Sequence, residues 1–321
     1  MIRLSATAKH SGVLRAGVVG TGAFGRHHAA KYAQADGVQL VAIADPNAET
    51  RHAMSTAHNI DTVSDWHDLL GKVDLVSVCS PAVTHAPIVR AFLKSGAHVL
   101  VEKPIATTLA EADELIAIAE DRGLVLTVGH QERFVFARSG LLDYADTPLE
   151  VSCWRTGPWT GRGADVSVVL DLMIHDLDLV HRLIPGAVIS AEAFARSEHG
   201  KKADEVTGVV TFENGSQARL HASRIAHSRR RGMSVVYPDG TIEIDFMTRE
   251  IRNTTRRPLE ALRFDDPLGE AVSTFVNAVR DGVAAFVRPE EARHALETAL
   301  MIEKATRVSA WRHRAEQIAA A

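Results

Sequence analysis

The sequence has few cysteines, no long apolar segment and little net charge. Cys79 and Cys153 are its two cysteines, too few for a disulfide framework and typical of the reducing cytoplasm. No apolar run approaches the roughly 18 residues that a membrane-spanning helix needs. The 36 Lys and Arg residues nearly balance the 40 Asp and Glu residues, for a formal net charge of −4. We therefore expect a soluble, cytoplasmic protein without a disulfide scaffold, a membrane span or a broad nucleic-acid surface.

Length and local pattern divide the chain into parts. At roughly 150 residues per domain, the 321 residues predict about two domains. Residues 1–12 lack the apolar stretch of a signal peptide, and we expect a flexible leader there. From residue 13 to 130, short runs that are apolar at nearly every position alternate with helical patterns. This is typical of a parallel sheet covered by helices on both faces, with strands near 13–19, 38–44, 73–78, 98–101 and 124–128.

Residues 131–321 show a different pattern, in which strand-like segments follow one another with few helices between them. The turns Asn214-Gly215 and Asp239-Gly240 are strong hairpin signals, and the arginines at 229–231 are typical of a solvated sheet edge. One long helix is predicted over 167–184 and another from about Pro289. We expect an α/β domain with a large mixed, mostly antiparallel sheet, whose strands lie near 149–155, 188–196, 206–212, 217–224, 233–237 and 241–246.

A glycine-rich turn follows the first predicted strand. Gly20, Thr21, Gly22, Ala23, Phe24 and Gly25 stand between that strand and a helical pattern, the context that a dinucleotide-binding G-x-G-x-x-G motif requires. Its three glycines permit a tight turn, a close approach to pyrophosphate and close helix–strand packing. Asp45 ends the next strand, where a carboxylate would hold the ribose 2′-hydroxyl. Because this carboxylate would repel a 2′-phosphate, the pattern favours NAD over NADP.

A lysine lies at the end of the strand predicted over 98–101, in Glu102-Lys103-Pro104. Ligands of an open parallel sheet lie outside such carboxyl ends, and burial there could lower the pKa of a lysine towards catalytic use. A surface ion pair is the alternative for this tripeptide. His27 and His28 are expected on the first turns of the cofactor helix without a catalytic duty, and Cys79 as a small core residue.

The helix predicted over 167–184 carries charged residues among apolar ones. At about 100° per residue, Asp171, His175, Asp178 and Arg182 share one stripe of an otherwise Val-, Leu-, Ile- and Met-rich helix. Three interpretations stay open: an internal ion-pair stripe, a metal site at i, i+4 spacing, and an acid–base site. In the last, His175 moves a proton and Asp171 orients it. No second ligand cluster supports the metal site, and we expect none.

Two arginines lie in a segment rich in Gly, Pro and Trp just before that helix. Arg155 and Arg162 could hold a phosphorylated or nucleotide-bearing substrate, and an ordinary surface loop fits the same pattern equally. Together with Lys103, Arg133 and a helix N-terminus, they could form a locally positive cleft for an anionic cofactor and substrate in a weakly negative protein, which makes Arg133 a third candidate substrate-binding arginine.

In order and spacing, these motifs resemble the glucose–fructose oxidoreductase / inositol dehydrogenase / MocA (Gfo/Idh/MocA) family. The resemblance implies a Rossmann domain (residues 13–130), then an α/β domain (131–321) whose open sheet makes homodimer or homotetramer contacts. It also implies NAD(P)-dependent oxidation of a sugar or cyclitol hydroxyl. By the family pattern, the catalytic group is Lys103, Asp171 and His175, and the nicotinamide end of the cleft is lined by Ser80, His85 and Glu102.

A narrower resemblance concerns the segments 128–134 and 165–176, which look like those of the bacterial UDP-N-acetylglucosamine 3-dehydrogenase subgroup. It implies hydride transfer between nicotinamide and the 3-hydroxyl carbon of a UDP-N-acetylhexosamine. A dehydrogenase of a free sugar, inositol or another cyclic polyol is the enzymatic alternative. A non-catalytic NAD- or sugar-sensing module is the alternative from another class, although it would have no need of a Lys/Asp/His group.

Overall fold

The computed structural model describes residues 12–143, 146–261 and 266–308. Of the expected leader, residues 1–11 lie outside this part of the chain. Residues up to Val135 form one compact unit together with a later segment that ends at Leu296, and residues from Phe136 to Arg263 form a second unit with those from Glu297 onwards. The structure thus differs from a simple division near residue 130, because a segment from the second half of the chain packs with the first unit.

The first unit contains a six-stranded parallel sheet, as the alternating pattern predicts. Its strand order is β3-β2-β1-β4-β5-β6, and every neighbouring pair is parallel. The short strand β3 has no counterpart among the predicted strands. The bounds are β1 Leu14–Val19, β2 Val38–Ala44, β3 Asp61–Val63, β4 Leu75–Val78, β5 His98–Val101 and β6 Leu126–Val128.

The helices cover the apolar strands and close the first core. Thr108 and Glu111 form a capping box before the helix α4 (Leu109–Asp121), which satisfies backbone N–H groups at that helix start. The unpredicted helix α7 presents Val272, Phe275 and Val276 to the core formed by β1 and α1, and this burial explains why it joins the first unit. The bounds of the α-helices of both units are α1 Gly25–Gln34, α2 Ala48–His58, α3 His85–Ser95, α4 Leu109–Asp121, α5 Glu132–Ser139, α6 Ile174–Leu183, α7 Pro267–Asp281 and α8 Pro289–Ala305, of which α6 lies in the second unit.

The second unit contains an eight-stranded mixed sheet in the order β13-β12-β11-β7-β10-β9-β8-β14. The β7–β10 and β8–β14 pairs are parallel, and the other pairs are antiparallel. This confirms the mixed, mostly antiparallel sheet. The bounds are β7 Glu150–Thr156, β8 Val188–Arg196, β9 Glu205–Phe212, β10 Gln217–Ser223, β11 Arg230–Tyr237, β12 Gly240–Asp245, β13 Glu250–Asn253 and β14 Thr306–Val308.

Two local expectations for the second unit are corrected. The arginines at 229–231 do not mark a sheet edge, because β11 lies between β7 and β12, although Arg230 and Arg231 are exposed. The helix over 167–184 is not one continuous α-helix: a π-helical turn spans Val169–Met173, and α6 follows it. The wider turn changes the rotation per residue, so a single 100° stripe does not run from Asp171 to Arg182.

Candidate functional site

In the glycine-rich turn between β1 and α1, Gly20 and Gly25 are tightly packed, whereas Gly22 has open space beside it. Gly20 has a φ of +80°, and a Cβ there would lie 2.8 Å from the Ser80 backbone nitrogen. A Cβ on Gly25 would lie 1.9 Å from the Gly20 carbonyl oxygen, whereas a Cβ on Gly22 would meet nothing within 4 Å. The turn therefore requires glycine at 20 and 25 for internal packing, and it keeps open room beside the Gly22 backbone.

Asp45 ties this turn to the end of β2. Its Oδ2 accepts hydrogen bonds from the Thr21 backbone N–H at 2.7 Å and the Thr21 hydroxyl at 3.1 Å. Its Oδ1 accepts one from the Asn47 backbone N–H at 2.9 Å. Phe24, at the N-cap of α1, supplies no side-chain cap, so the helix start directs its partial positive charge to the turn.

These features fit a dinucleotide. The open room beside Gly22 would receive the pyrophosphate, the start of α1 would face its negative charge, and the Asp45 carboxylate stands where a ribose hydroxyl is held in such folds. A metal has no comparable support, because the described residues contain no group of three or more His, Cys, Asp or Glu side chains that could hold one.

The ends of β4 and β5 are joined through a buried histidine. His85 contacts the Pro104 carbonyl oxygen through Nδ1 at 2.7 Å and the Ser80 carbonyl oxygen through Nε2 at 2.8 Å. Burial lowers the pKa of His85, and the two carbonyl acceptors oppose that shift. Since both ring nitrogens already face backbone oxygens, His85 holds the turn at Ser80 against the Lys103–Pro104 peptide, which is cis.

Glu102 lies in a buried polar network that the sequence did not reveal. His28 contacts Ser77 Oγ through Nδ1 and Glu102 Oε1 through Nε2, both at 3.0 Å, and the Tyr32 hydroxyl lies 2.8 Å from the same Ser77 oxygen. A neutral His28 satisfies the whole chain: Tyr32 donates to Ser77, Ser77 donates to Nδ1, and Nε2–H donates to the carboxylate.

His28 thus holds the carboxylate of Glu102, the residue that precedes Lys103 in the sequence. The sequence offered one signal for this role, since His28 follows Gly25 by three residues on the first turn of α1. Cys79 lies close by, and burial raises the pKa of its thiol, with the Glu102 carboxylate adding to the shift. This fits the expected core role rather than that of a nucleophile.

The remaining predicted catalytic residues lie in the second unit, whereas Lys103 lies in the first. Asp171 is in the π-helical turn and His175 is in the first turn of α6, and both are half-buried. The Ser167 hydroxyl accepts from the Val169 backbone N–H at 3.2 Å, and the Asp171 backbone N–H donates to the Ser167 carbonyl at 2.9 Å. These bonds fix the start of the turn that carries Asp171.

The three candidate substrate arginines have different surroundings. Arg155 on β7 is buried and bonds Asp176 on α6, with Nη2 to Oδ1 at 2.7 Å. Arg133 on α5 is buried and paired with Glu291. Arg162 is exposed, in the segment between β7 and the π-helical turn. Arg155 and Arg133 are therefore buried with carboxylates of their own units, whereas Arg162 is accessible to solvent.

Comparison with known proteins adds family evidence. Residues 14–130 match the model of an oxidoreductase family with an NAD-binding Rossmann fold, and residues 138–243 match the GFO/IDH/MocA C-terminal domain. No helix among the described residues is long and apolar enough to cross a bilayer.

Several relatives match along most of their length. The UDP-N-acetylglucosamine 3-dehydrogenase of Acidithiobacillus ferrooxidans is 31% identical over 91% of this chain and 97% of the relative. Its solved structure has a TM-score of 0.83, at 32% identity and the same coverage. The myo-inositol 2-dehydrogenase of Thermotoga maritima is 28% identical over 88% of this chain and 93% of the relative. A scyllo-inositol dehydrogenase from Lactobacillus casei, solved with NAD(H) and scyllo-inositol, shares the fold with a TM-score of 0.79 at 18% identity, over 92% of this chain and 97% of that one.

Proposed function

The chain belongs to the GFO/IDH/MocA family of NAD-dependent oxidoreductases, and on that premise we propose that it oxidises the 3-hydroxyl of a UDP-N-acetylhexosamine. The observation that carries this proposal is the 31% identity to a UDP-N-acetylglucosamine 3-dehydrogenase over 97% of that enzyme's length. The similarity includes the second half of the chain, where substrate contacts of a two-domain dehydrogenase are expected.

The proposed chemistry uses the Lys/Asp/His group. His175 accepts the proton of the sugar hydroxyl, while the Lys103 ammonium stabilises the negative charge that develops on the oxygen. Asp171 holds His175 in the tautomer that can accept a proton. NAD, when bound, supplies the acceptor for the hydride that leaves the ring carbon. The products are a ketone, the reduced cofactor and one proton, which His175 passes to solvent.

NAD, rather than NADP, is the proposed cofactor. The Asp45 carboxylate would repel a 2′-phosphate, as the sequence predicts. One neighbouring group opposes this repulsion: Arg51 donates to the Asp45 and Pro46 carbonyl oxygens at 2.8 and 2.9 Å. In Asp45→Ser the repulsion disappears and Arg51 stays. We expect the NADP-to-NAD ratio of kcat/KM to rise in this variant, while unchanged discrimination would contradict the role of Asp45.

Arg162 is the arginine that we propose for an anionic substrate group. Its exposure supports this role, and the buried ion pairs of Arg155 and Arg133 make those two less suited to it. Arg162→Ala should raise the KM for a UDP-sugar and leave the KM for an uncharged sugar unchanged. Equal effects on both substrates would remove the proposal.

A cyclic polyol is the second candidate substrate, favoured by the similarity to a myo-inositol 2-dehydrogenase over 93% of its length. An absorbance assay of NADH formation with UDP-N-acetylglucosamine, myo-inositol and glucose, each with NAD and NADP, separates the two. Activity with UDP-N-acetylglucosamine and NAD is expected. If only inositol reacts, the UDP-sugar proposal is wrong. If none of the three substrates reacts, the result favours an NAD- or sugar-sensing role.

The roles of the catalytic group are tested in single-turnover reactions. Lys103→Met and His175→Ala should abolish rapid NADH formation while NAD binding, followed by fluorescence, stays unchanged. Wild-type rates in both variants would overturn the assignment.

We also propose that the protein is a homodimer or homotetramer formed through the second sheet, working in the cytoplasm. Supporting the first point, Ile189 and Phe194 lie on the same strand, β8, and are 63% and 59% exposed, and neighbouring exposed apolar side chains favour an interaction surface. Light scattering of Phe194→Asp should show a smaller species than the wild type. A monomeric wild type would refute the assembly.

A further inference from the structure

We infer that the turn formed by residues 163–166 positions the carboxylate of Asp171, with Gly163 and Arg224 as the residues that set its place. This inference rests on the proposed function, because it gives Asp171 a role at the reacting centre. The turn, Asp171 and Arg224 all lie in the second unit.

Gly163 lies directly against the Asp171 side chain. A Cβ built on Gly163 would stand 2.2 Å from Oδ2, 2.6 Å from Cγ and 3.1 Å from Oδ1 of Asp171. A real Cβ cannot occupy such a position, so any side chain at 163 would displace the carboxylate or the turn. The absence of a side chain at this residue is what lets the backbone pack onto the carboxylate.

Arg224 holds this turn in place from the end of β10. Its Nη1 donates to the Gly163 carbonyl oxygen at 2.5 Å and to the Val166 carbonyl oxygen at 3.1 Å. One guanidinium nitrogen therefore fixes both ends of the turn. Arg224 is only 6% exposed, so water competes little for these bonds.

Arg224 is itself fixed by a buried acidic residue. Its Nε donates to Asp204 Oδ1 at 2.8 Å, and Asp204 Oδ2 accepts from the Glu198 and His199 backbone N–H groups at 2.6 and 2.7 Å. Burial raises the pKa of Asp204, but these backbone donors and Arg224 outweigh it, and the pKa stays below its usual value. The carboxylate is thus kept ionised, as the buried guanidinium requires.

An aromatic contact completes the support. The Trp159 ring stacks on the His199 ring with centroids 4.1 Å apart, and the Arg224 guanidinium carbon lies 5.2 Å from the Trp159 ring centroid. The guanidinium is therefore confined by Asp204, by two carbonyl oxygens and by an aromatic ring. Such confinement fits a residue that holds the turn against Asp171 rather than one that binds substrate.

The chain offers a matched pair of glycines to test this inference. Gly161 and Gly163 both have a positive φ, +76° and +68°, but a Cβ on Gly161 would meet nothing within 4 Å. An alanine at either position suffers the same kind of backbone strain. Only Gly163→Ala also presses on Asp171, so the difference between the two variants isolates that contact.

Kinetics and crystal structures of Gly161→Ala, Gly163→Ala and Asp171→Asn are compared with those of the wild type. Because a displacement of about 1 Å at a reacting group can cost roughly 100-fold in rate, we expect Gly163→Ala to lower kcat by roughly 10- to 100-fold. Gly161→Ala should keep the wild-type kcat, and all variants should keep the NAD affinity of the wild type. The crystal structure of Gly163→Ala should show a moved Asp171 carboxylate, and that of Gly161→Ala an unmoved one.

The possible failures are distinguishable. If Asp171→Asn keeps the wild-type rate, the proposed role of Asp171 is wrong. If Asp171→Asn loses activity but Gly163→Ala behaves like Gly161→Ala, the proposed function stands and the positioning inference fails. Should the wild type turn over none of the sugars, the crystal structures still decide: an unmoved carboxylate in Gly163→Ala overturns the inference.

Arg224→Lys provides an independent measurement. Lysine keeps the charge, but its compact ammonium cannot hold Asp204 and two carbonyl oxygens in the planar geometry of a guanidinium. Amide hydrogen exchange should become faster within residues 163–166, and kcat should fall with little change in NAD affinity. Unchanged exchange and unchanged kcat would contradict the role of Arg224.

Discussion

Replacing Asp176 with Asn should strongly destabilise the second unit, because it removes the charge that faces a buried guanidinium. Arg155 Nη2 lies 2.7 Å from Asp176 Oδ1, and Arg155 Nε lies 3.2 and 3.3 Å from the two carboxylate oxygens. The two side chains are only 3% and 2% exposed. Their bond links β7 to α6, the helix that carries His175.

The expected loss follows from this burial. Removing one partner of a buried ion pair costs about 3–5 kcal/mol, because the other charge stays buried without compensation. A loss of this size corresponds to a fall in Tm of roughly 6–20 °C for a domain of about 150–250 residues. In the double variant Arg155→Met/Asp176→Leu, apolar side chains replace both charges. Its stability should exceed that of the single variants Arg155→Met and Asp176→Asn, in each of which one buried charge loses its partner.

The ion pair between Glu150 on β7 and Arg219 on β10 serves as the control, because Glu150 lies on the same strand as Arg155. Arg219 Nε lies 3.0 Å from Glu150 Oε2, but these side chains are 53% and 34% exposed. Because an exposed pair is worth about 1 kcal/mol or less, Glu150→Gln should leave Tm nearly unchanged.

Thermal unfolding by circular dichroism and urea titrations measure these effects, and the KM for UDP-N-acetylglucosamine is measured in parallel. If Arg155→Met keeps the wild-type Tm and raises only this KM, then Arg155 serves the substrate and the assignment of a structural pair is wrong. If Asp176→Asn is no less stable than Glu150→Gln, the argument from burial fails.

Three further predictions concern the first unit. Gly22→Ala should keep the wild-type Tm, because its Cβ would meet no protein atom within 4 Å. It should bind NAD more weakly in calorimetry, because the Cβ would occupy the room proposed for pyrophosphate. An unchanged affinity would contradict that location. His28→Leu should lower the free energy of unfolding, measured in urea, by about 1–3 kcal/mol, because it removes one donor from the buried Glu102 carboxylate. His28→Gln can still donate a hydrogen bond and should lose less. Equal losses would argue against the hydrogen bond. Burial raises the pKa of Glu291, but Arg288 and Arg133 outweigh this effect and lower the pKa to about 2. The contribution of Glu291 to stability is therefore present above the unfolded pKa of about 4.5 and is lost as the pH falls through about 2. Glu291→Gln should flatten the pH dependence of unfolding in that window, and an unchanged profile would refute the shift.

Local pattern was sufficient for five of the six strands of the parallel sheet in the first unit. Parallel strands buried on both faces show as short continuous apolar runs, and the glycine-rich turn stands at a fixed place between strand and helix, so β1 and α1 could be read directly. The helix α7 was missed although its start and end signals, Asp266 before Pro267 and Gly282 after Asp281, are local features of the sequence. Its place in the first unit could not be read locally, because the core that its apolar face covers belongs to residues far away in the chain. The π-helical turn escaped for a related reason, since a uniform 100° rotation cannot represent one wider turn.

For the candidate site, the sequence determined which chemical groups are available and the order in which they follow the strands. It placed Gly22 after β1, Asp45 after β2 and Lys103 after β5, because such positions depend on bonds between near neighbours in the chain. The tertiary structure alone decided what each group contacts. It buried Arg155 against Asp176, and it brought Gly163 onto the Asp171 carboxylate, because those contacts join segments that only the packing of strands and helices brings together.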